Sequence, residues 1–171
     1  MTDHRKYNVL FLCTHNSARS ILAEAALNQL AGDRFTGYSA GSHPGTTPNP
    51  HAIALLRSQG IETEGLRSKS WDEFAVDGAP QMDFIFTVCD DAAGEVCPIW
   101  PGHPAKAHWG VADPSKVEGS DEEKRRAFLQ TFVQMKKRIE LFTNLPLQKL
   151  DRMAVQQEMQ TIGTSLREKG E

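Results

Sequence analysis

The chain has 171 residues, 39% of them hydrophobic and 24% charged, with a formal net charge of -3. That is enough for one core and too short for two ordinary domains, with too much apolar content for a disordered chain. The weak negative charge and the dispersed Lys and Arg residues offer no basic field for nucleic acid, and the short apolar runs offer no membrane span. No signal-peptide apolar region precedes the first strand-like segment, so the expectation is a cytoplasmic protein that binds neither nucleic acid nor membrane. In a reducing compartment its three cysteines stand as packed, metal-bound or chemically active thiols, not as a disulfide framework.

Residues 7–12 read as a buried strand, and 20–31 as a helix with Leu22, Ala26 and Leu30 on one face, stopped by Gly32. Residues 35–40 supply a second strand, and the strand, helix, strand order predicts parallel pairing through a right-handed crossover. Asn49 as cap and Pro50 at the first helical position open a second helix that Gly60 closes. Ser70 with Glu73 predicts a capping box for a short turn around Trp71 and Phe74, before a third strand over 84–88 and a short fourth over 105–109. A second box, Ser120 with Glu123, opens a long helix whose Phe128, Phe132, Met135, Ile139 and Phe142 recur at core-facing spacing. After Pro146, Val155, Met159, Ile162 and Leu166 outline a weaker amphipathic helix. The predicted fold is α/β in three layers: a small, mainly parallel, four-stranded twisted sheet with helices on both faces, formed by residues 1–145, and a helical tail over 146–171.

Between the first strand and the first helix lies Cys13-Thr14-His15-Asn16-Ser17-Ala18-Arg19-Ser20. Open parallel sheets place ligands at strand carboxyl ends, and this segment has the composition to use such a place. A nucleophile, five intervening residues and an arginine can wrap backbone N–H groups around a tetrahedral oxyanion at a helix amino end. Arg19 adds a planar pair of donors, and the same donors stabilise a Cys13 thiolate. Ser17 and Ser20 offer hydroxyls to the sulfur or the loop, Asn16 offers an amide to brace it, and His15 occupies the loop without proton-transfer duty. The competing reading of Cys13 is a small buried residue at a strand end.

With Val9-Leu10-Phe11-Leu12 leading into this loop and Ser20 opening the helix, residues 7–142 resemble the low-molecular-weight tyrosine phosphatase superfamily. Within it the chain looks most like the arsenate reductases, through Tyr38-Ser39-Ala40-Gly41, Val88-Cys89, Cys97-Pro98, His108-Trp109-Gly110 and Asp113-Pro114. The resemblance implies arsenate as substrate, phosphate or sulfate as mimics, and the loop residues 14–20 as its cradle; no cofactor is expected, and no metal, since the cysteine spacing lacks the close paired ligands of zinc modules. It further implies a relay: Cys13 attacks arsenate, Cys89 attacks the thiol adduct to release arsenite, and Cys97 takes over Cys89. Two thiols becoming one disulfide supply the two electrons required. Thioredoxin, or in some relatives glutathione with glutaredoxin, would reduce the resulting disulfide. Asp113 matches the general acid, although an Asp-Pro pair is also a common turn starter.

Three departures matter. Ser115 stands where the phosphatases carry an aromatic residue, which weakens aryl phosphate recognition, and Ala18 stands where many carry a protective cysteine. Asn16, Glu24 and Ser39 match part of a monovalent cation site in relatives, and Lys69 suggests an ammonium in the cation's place. The alternatives are a tyrosine phosphatase, a thiol redox sensor that binds an oxyanion without turning it over, and a structural zinc site built from Cys89, Cys97 and His103 or His108.

Overall fold

The computed structural model describes residues 6–88, 104–147 and 152–169. Its strands are β1 (Tyr7–Cys13), β2 (Phe35–Gly41), β3 (Phe84–Thr87) and β4 (Ala105–His108). Its helices are α1 (Arg19–Ala31), α2 (Pro50–Ser58), α3 (Asp121–Thr143) and α4 (Arg152–Lys169), with 3-10 turns at Trp71–Phe74 and Pro114–Lys116. The sheet is wholly parallel in the order β2-β1-β3-β4. Tyr7 pairs with Phe35 on one side of β1, and Val9 pairs with Phe84 on the other. The chain therefore turns to opposite sides of β1 in its first and second crossings, and the carboxyl end of β1 is the switch point where such sheets open a crevice.

Alternation along the strands divides the interior in two. Val9, Phe11 and Cys13 of β1, with Phe84 and Phe86 of β3, pack against α1, α2, α3 and α4. Leu10, Leu12 and Ile85 face the opposite way, against Trp71, Phe74 and Met82. Burial on both faces explains why β1 reads as an unbroken apolar run and not as an alternating one. The result is the expected three-layer α/β fold, with the 3-10 turn Trp71–Phe74 covering the second face among the described residues.

The helix signals act as capping chemistry predicts, with two exceptions. The Asn49 side chain accepts from the His51 N–H, Pro50 sits at the first position, and Gly60 closes the segment at a φ of 74°. Ser120 and Glu123 form both arms of a capping box, and the whole α3 stripe from Phe128 to Phe142 is buried. At the other predicted box, Ser70 accepts from the Asp72 N–H while Glu73 pairs with Arg67 at 2.6 and 3.0 Å, so the box is only half made. The guanidinium fork binds the carboxylate with two parallel hydrogen bonds and wins over a single backbone N–H. Leu30, expected on the buried face of α1, is exposed. Residues 20–23 and 25–27 are buried on every side of α1 while residues 28–30 are all exposed, so burial here is set by position along the helix, and Leu30 lies where α1 runs out from under its cover.

The helix of the tail docks on the sheet. Val155, Met159 and Ile162 join the main core, while Leu166 lies outside the described side chains. The Trp109 indole N–H donates to the Met159 carbonyl at 2.8 Å.

Candidate active site

Cys13 ends β1 almost fully buried, with the loop of residues 14–18 running from it into α1. The carbonyls of this loop turn outward and are satisfied from outside it. Thr14 accepts from the His43 N–H at 2.8 Å, His15 from the Gly45 N–H at 3.0 Å, and Ser17 from the Asn49 N–H at 2.8 Å. The Asn16 carbonyl accepts from the Ser68 hydroxyl at 2.7 Å. A peptide group is planar and trans, so a unit whose oxygen points away from the loop carries its N–H toward the hollow. Successive N–H groups turned inward at a helix start form an anion cradle. Gly41, at the end of β2, makes the close wrap possible: a Cβ there would meet the Thr14 oxygen at 2.5 Å and the Cys13 oxygen at 2.8 Å.

Behind the loop lies a buried polar knot. Asn16 adopts a φ of 49°, a left-handed conformation tolerated by asparagine, and its side chain is fully buried. Its amide donates to the Ser20 hydroxyl at 2.8 Å and accepts from the Lys69 N–H at 2.9 Å. The Lys69 ammonium donates to the Ser39 and Arg67 carbonyls, each at 2.8 Å, and lies 3.5 Å from Asn16 Oδ1. Glu24 accepts from the Ser39 hydroxyl and sits 3.9 Å from the ammonium. Burial pushes the Glu24 carboxyl above its ordinary pKa, with Lys69 and Ser39 offsetting part of the rise. Burial likewise pulls the Lys69 ammonium down, against the attraction of Glu24.

At the mouth, Arg19 donates to the Val111 carbonyl at 3.1 Å and lies 3.4 Å from Asp113 Oδ2. The other Asp113 oxygen accepts twice from Ser115, from its N–H at 2.9 Å and its hydroxyl at 2.6 Å. Partial burial acts to raise the Asp113 pKa, but the two Ser115 hydrogen bonds and the charges of Arg19 and Lys116 prevail and hold it below the ordinary value. Asp113 also caps the 3-10 turn Pro114–Lys116, so its turn-forming role and its place beside Arg19 coexist.

Asp113 thus meets Arg19 at the mouth of the loop that Cys13 opens, two separated stretches of chain brought together, while His15 Nδ1 lies 3.0 Å from the His43 carbonyl at the exposed rim. Cys89 and Cys97 lie outside the described residues, as does His103. Val88, the residue before Cys89 in sequence, donates its N–H to the Leu12 carbonyl next to Cys13. Among the described residues no group of three His, Cys, Asp or Glu side chains is placed to hold a metal ion.

Residues 8–157 match the model of the low molecular weight phosphotyrosine protein phosphatase family. The chain belongs to that family. An arsenate reductase of Bacillus licheniformis is 37% identical over 80% of this chain and 95% of its own length. A solved arsenate reductase from Archaeoglobus fulgidus superposes with a TM-score of 0.58 at 27% identity, over 77% of this chain and 98% of that one. Another, described as an arsenate reductase in the phosphate binding state, gives a TM-score of 0.61 at 25% identity, over 78% of this chain and 97% of that one. These relatives are covered almost end to end while roughly a fifth of this chain lies beyond the match.

Two members of this phosphatase-family site escape a reading of motifs. Ser68 supports the loop through a carbonyl contact 52 residues away in sequence, which no local pattern announces. Ser115 registers in sequence only as a missing aromatic ring, whereas in space it fixes one oxygen of Asp113. An Asp-Pro-Ser run, in which the serine can bond back to the aspartate, is the signal that points to it.

Proposed function

We propose that the protein is an arsenate reductase that converts arsenate to arsenite with Cys13 as nucleophile. The observation that carries this reading is the cradle itself: a buried cysteine at the strand end, loop carbonyls turned outward, and Arg19 and Asp113 paired across the mouth. In the first step the Cys13 thiolate forms a bond to arsenic, and one arsenate oxygen leaves as water after Asp113 protonates it. The charge borne by the oxyanion is met by loop N–H groups and the Arg19 fork.

Beside Arg19, and with Ser115 donating to it, Asp113 favours its ionised form. The Ser115 hydrogen bonds do most to lower the Asp113 pKa and the Arg19 charge adds to them; an oxyanion that takes over the Arg19 donors offsets that charge and brings a negative one beside the carboxylate. Both changes raise the affinity of Asp113 for a proton, and oxyanion entry thereby arms the acid.

In the second step Cys89 attacks the Cys13 sulfur. The arsenic–sulfur bond breaks with its electron pair going to arsenic, which leaves as arsenite, and a Cys13–Cys89 disulfide remains. Cys97 then attacks Cys89, frees Cys13, and leaves a Cys89–Cys97 disulfide for an external dithiol of thioredoxin type, or for glutathione with glutaredoxin, to reduce. We place the reaction in the cytoplasm, the reducing compartment where such reductants work. Ser115 in place of an aromatic residue speaks for arsenate over an aryl phosphate.

Arsenate supplied with thioredoxin, its reductase and NADPH should consume NADPH in proportion to arsenate. Consumption that stops near one equivalent of protein would show a sensor. Cys89→Ser should end this turnover while leaving slow hydrolysis of an activated phosphate ester, and unchanged arsenate turnover in that variant would exclude the relay.

A further inference from the structure

Most of α4 lies past residue 157, where the match to the family ends, and this helix grips the stretch that leads to Asp113. Trp109, fully buried at the end of β4, donates its indole N–H to the Met159 carbonyl of α4. Gly163, one turn further along, lies so close that a Cβ would come 2.7 Å from the Trp109 ring and 2.8 Å from the His108 carbonyl oxygen. Arg138 of α3, itself buried, donates to the carbonyls of Trp109 at 3.0 Å and Gly110 at 3.2 Å, and reaches the Gly163 carbonyl at 3.5 Å. The next residue, Val111, presents the carbonyl that receives Arg19, and Asp113 follows two positions later.

We propose that α4 is a positioning element for catalysis, a brace that holds segment 109–113 so that Asp113 faces the oxyanion cradle. This rests on the reading of Asp113 as general acid. The cradle has separate supports in residues 41–49, Ser68 and Lys69, none of which touches α4 through a hydrogen bond described above. Loosening the brace should therefore slow the acid-assisted step and spare oxyanion binding.

Two variants disturb α4 differently: Gly163→Val forces the helix away from Trp109, and Trp109→Phe keeps a ring in the core but deletes the bond to Met159. Each is compared with the parent for phosphate affinity and for kcat in thioredoxin-coupled arsenate turnover, alone and combined with Asp113→Asn, with cooperative melting as the check on folding. The brace predicts that kcat falls about tenfold in Gly163→Val and less in Trp109→Phe, that phosphate affinity stays within about threefold, and that neither change costs anything further once Asp113 is Asn. Equal losses with and without Asp113, or a loss of phosphate affinity matching the loss of kcat, would overturn the brace and leave the acid assignment standing. Should Asp113→Asn by itself leave kcat unchanged, the acid assignment fails and the brace fails with it.

Discussion

Behind the oxyanion loop, Asn16, Ser20, Ser39 and Lys69 are buried, with Lys69 alone donating to two carbonyls at 2.8 Å. In front of it, Arg19 and Asp113 remain partly open to solvent and meet at a looser 3.4 Å. The back is a permanent support whose polar groups must stay paired because water cannot reach them. The front is an exchangeable contact, close enough to orient two side chains and weak enough for an incoming anion to replace. One loop is thus held rigidly on one side and left open to chemistry on the other.

The contrast breaks most completely at the sulfur. Cys13→Ser should lower arsenate turnover by about 10⁵-fold or more while inorganic phosphate still binds, as steady-state rates and calorimetry will show. At the mouth, Asp113→Asn should cut kcat by roughly 10²-fold or more with only a modest fall in melting temperature at neutral pH, because the amide oxygen still caps the turn while the acid and the ionised carboxylate's contribution are lost. At the back the outcome reverses: Lys69→Met should destabilise the fold by about 3 kcal/mol through the acceptors it strands, seen as a lower denaturation midpoint. Potassium, more than sodium, should restore part of that loss by standing where the ammonium stood, and indifference to both ions would remove the cation comparison.

The mildest change sharpens the picture. Ser115→Ala removes the hydroxyl donor from Asp113, so the Asp113 pKa should rise and the carboxylate-dependent limb of the phosphate-binding pH profile should move upward, with kcat changed by less than about tenfold. The sign in stability follows. Since folding depresses this pKa, the ionised Asp113 contributes stability above the ordinary carboxylate range, and that contribution fades as pH falls through the depressed value. Ser115→Ala should therefore be less stable than the parent at neutral pH and closer to it in acid, as melts across pH will report.

The order of strands and helices was legible because each carried a local signal: an apolar run at Val9 to Leu12, a cap at Asn49, a capping box at Ser120. The exposure of Leu30 was not, because an every-fourth-residue row carries no sign of where α1 leaves its cover, nor was the partner of Glu73, for which Arg67 competes. The loop from Cys13 to Ser20 was legible as a contiguous string. The lowered pKa of Asp113 was not, since it depends on the turn geometry of Ser115 and on Arg19 brought from far along the chain. Nor was the grip of α4 on Trp109, which depends on a close helix approach that a glycine permits and that spacing alone does not reveal.

Treating the reduced protein with one equivalent of arsenate, without any external reductant, and mapping its cysteines by mass spectrometry tests the central claim most directly. The account predicts one arsenite released, a bond joining Cys89 to Cys97, and Cys13 again a free thiol. Arsenite released with Cys89 and Cys97 both still reduced, or no arsenite at all from a protein that binds the anion, would contradict it.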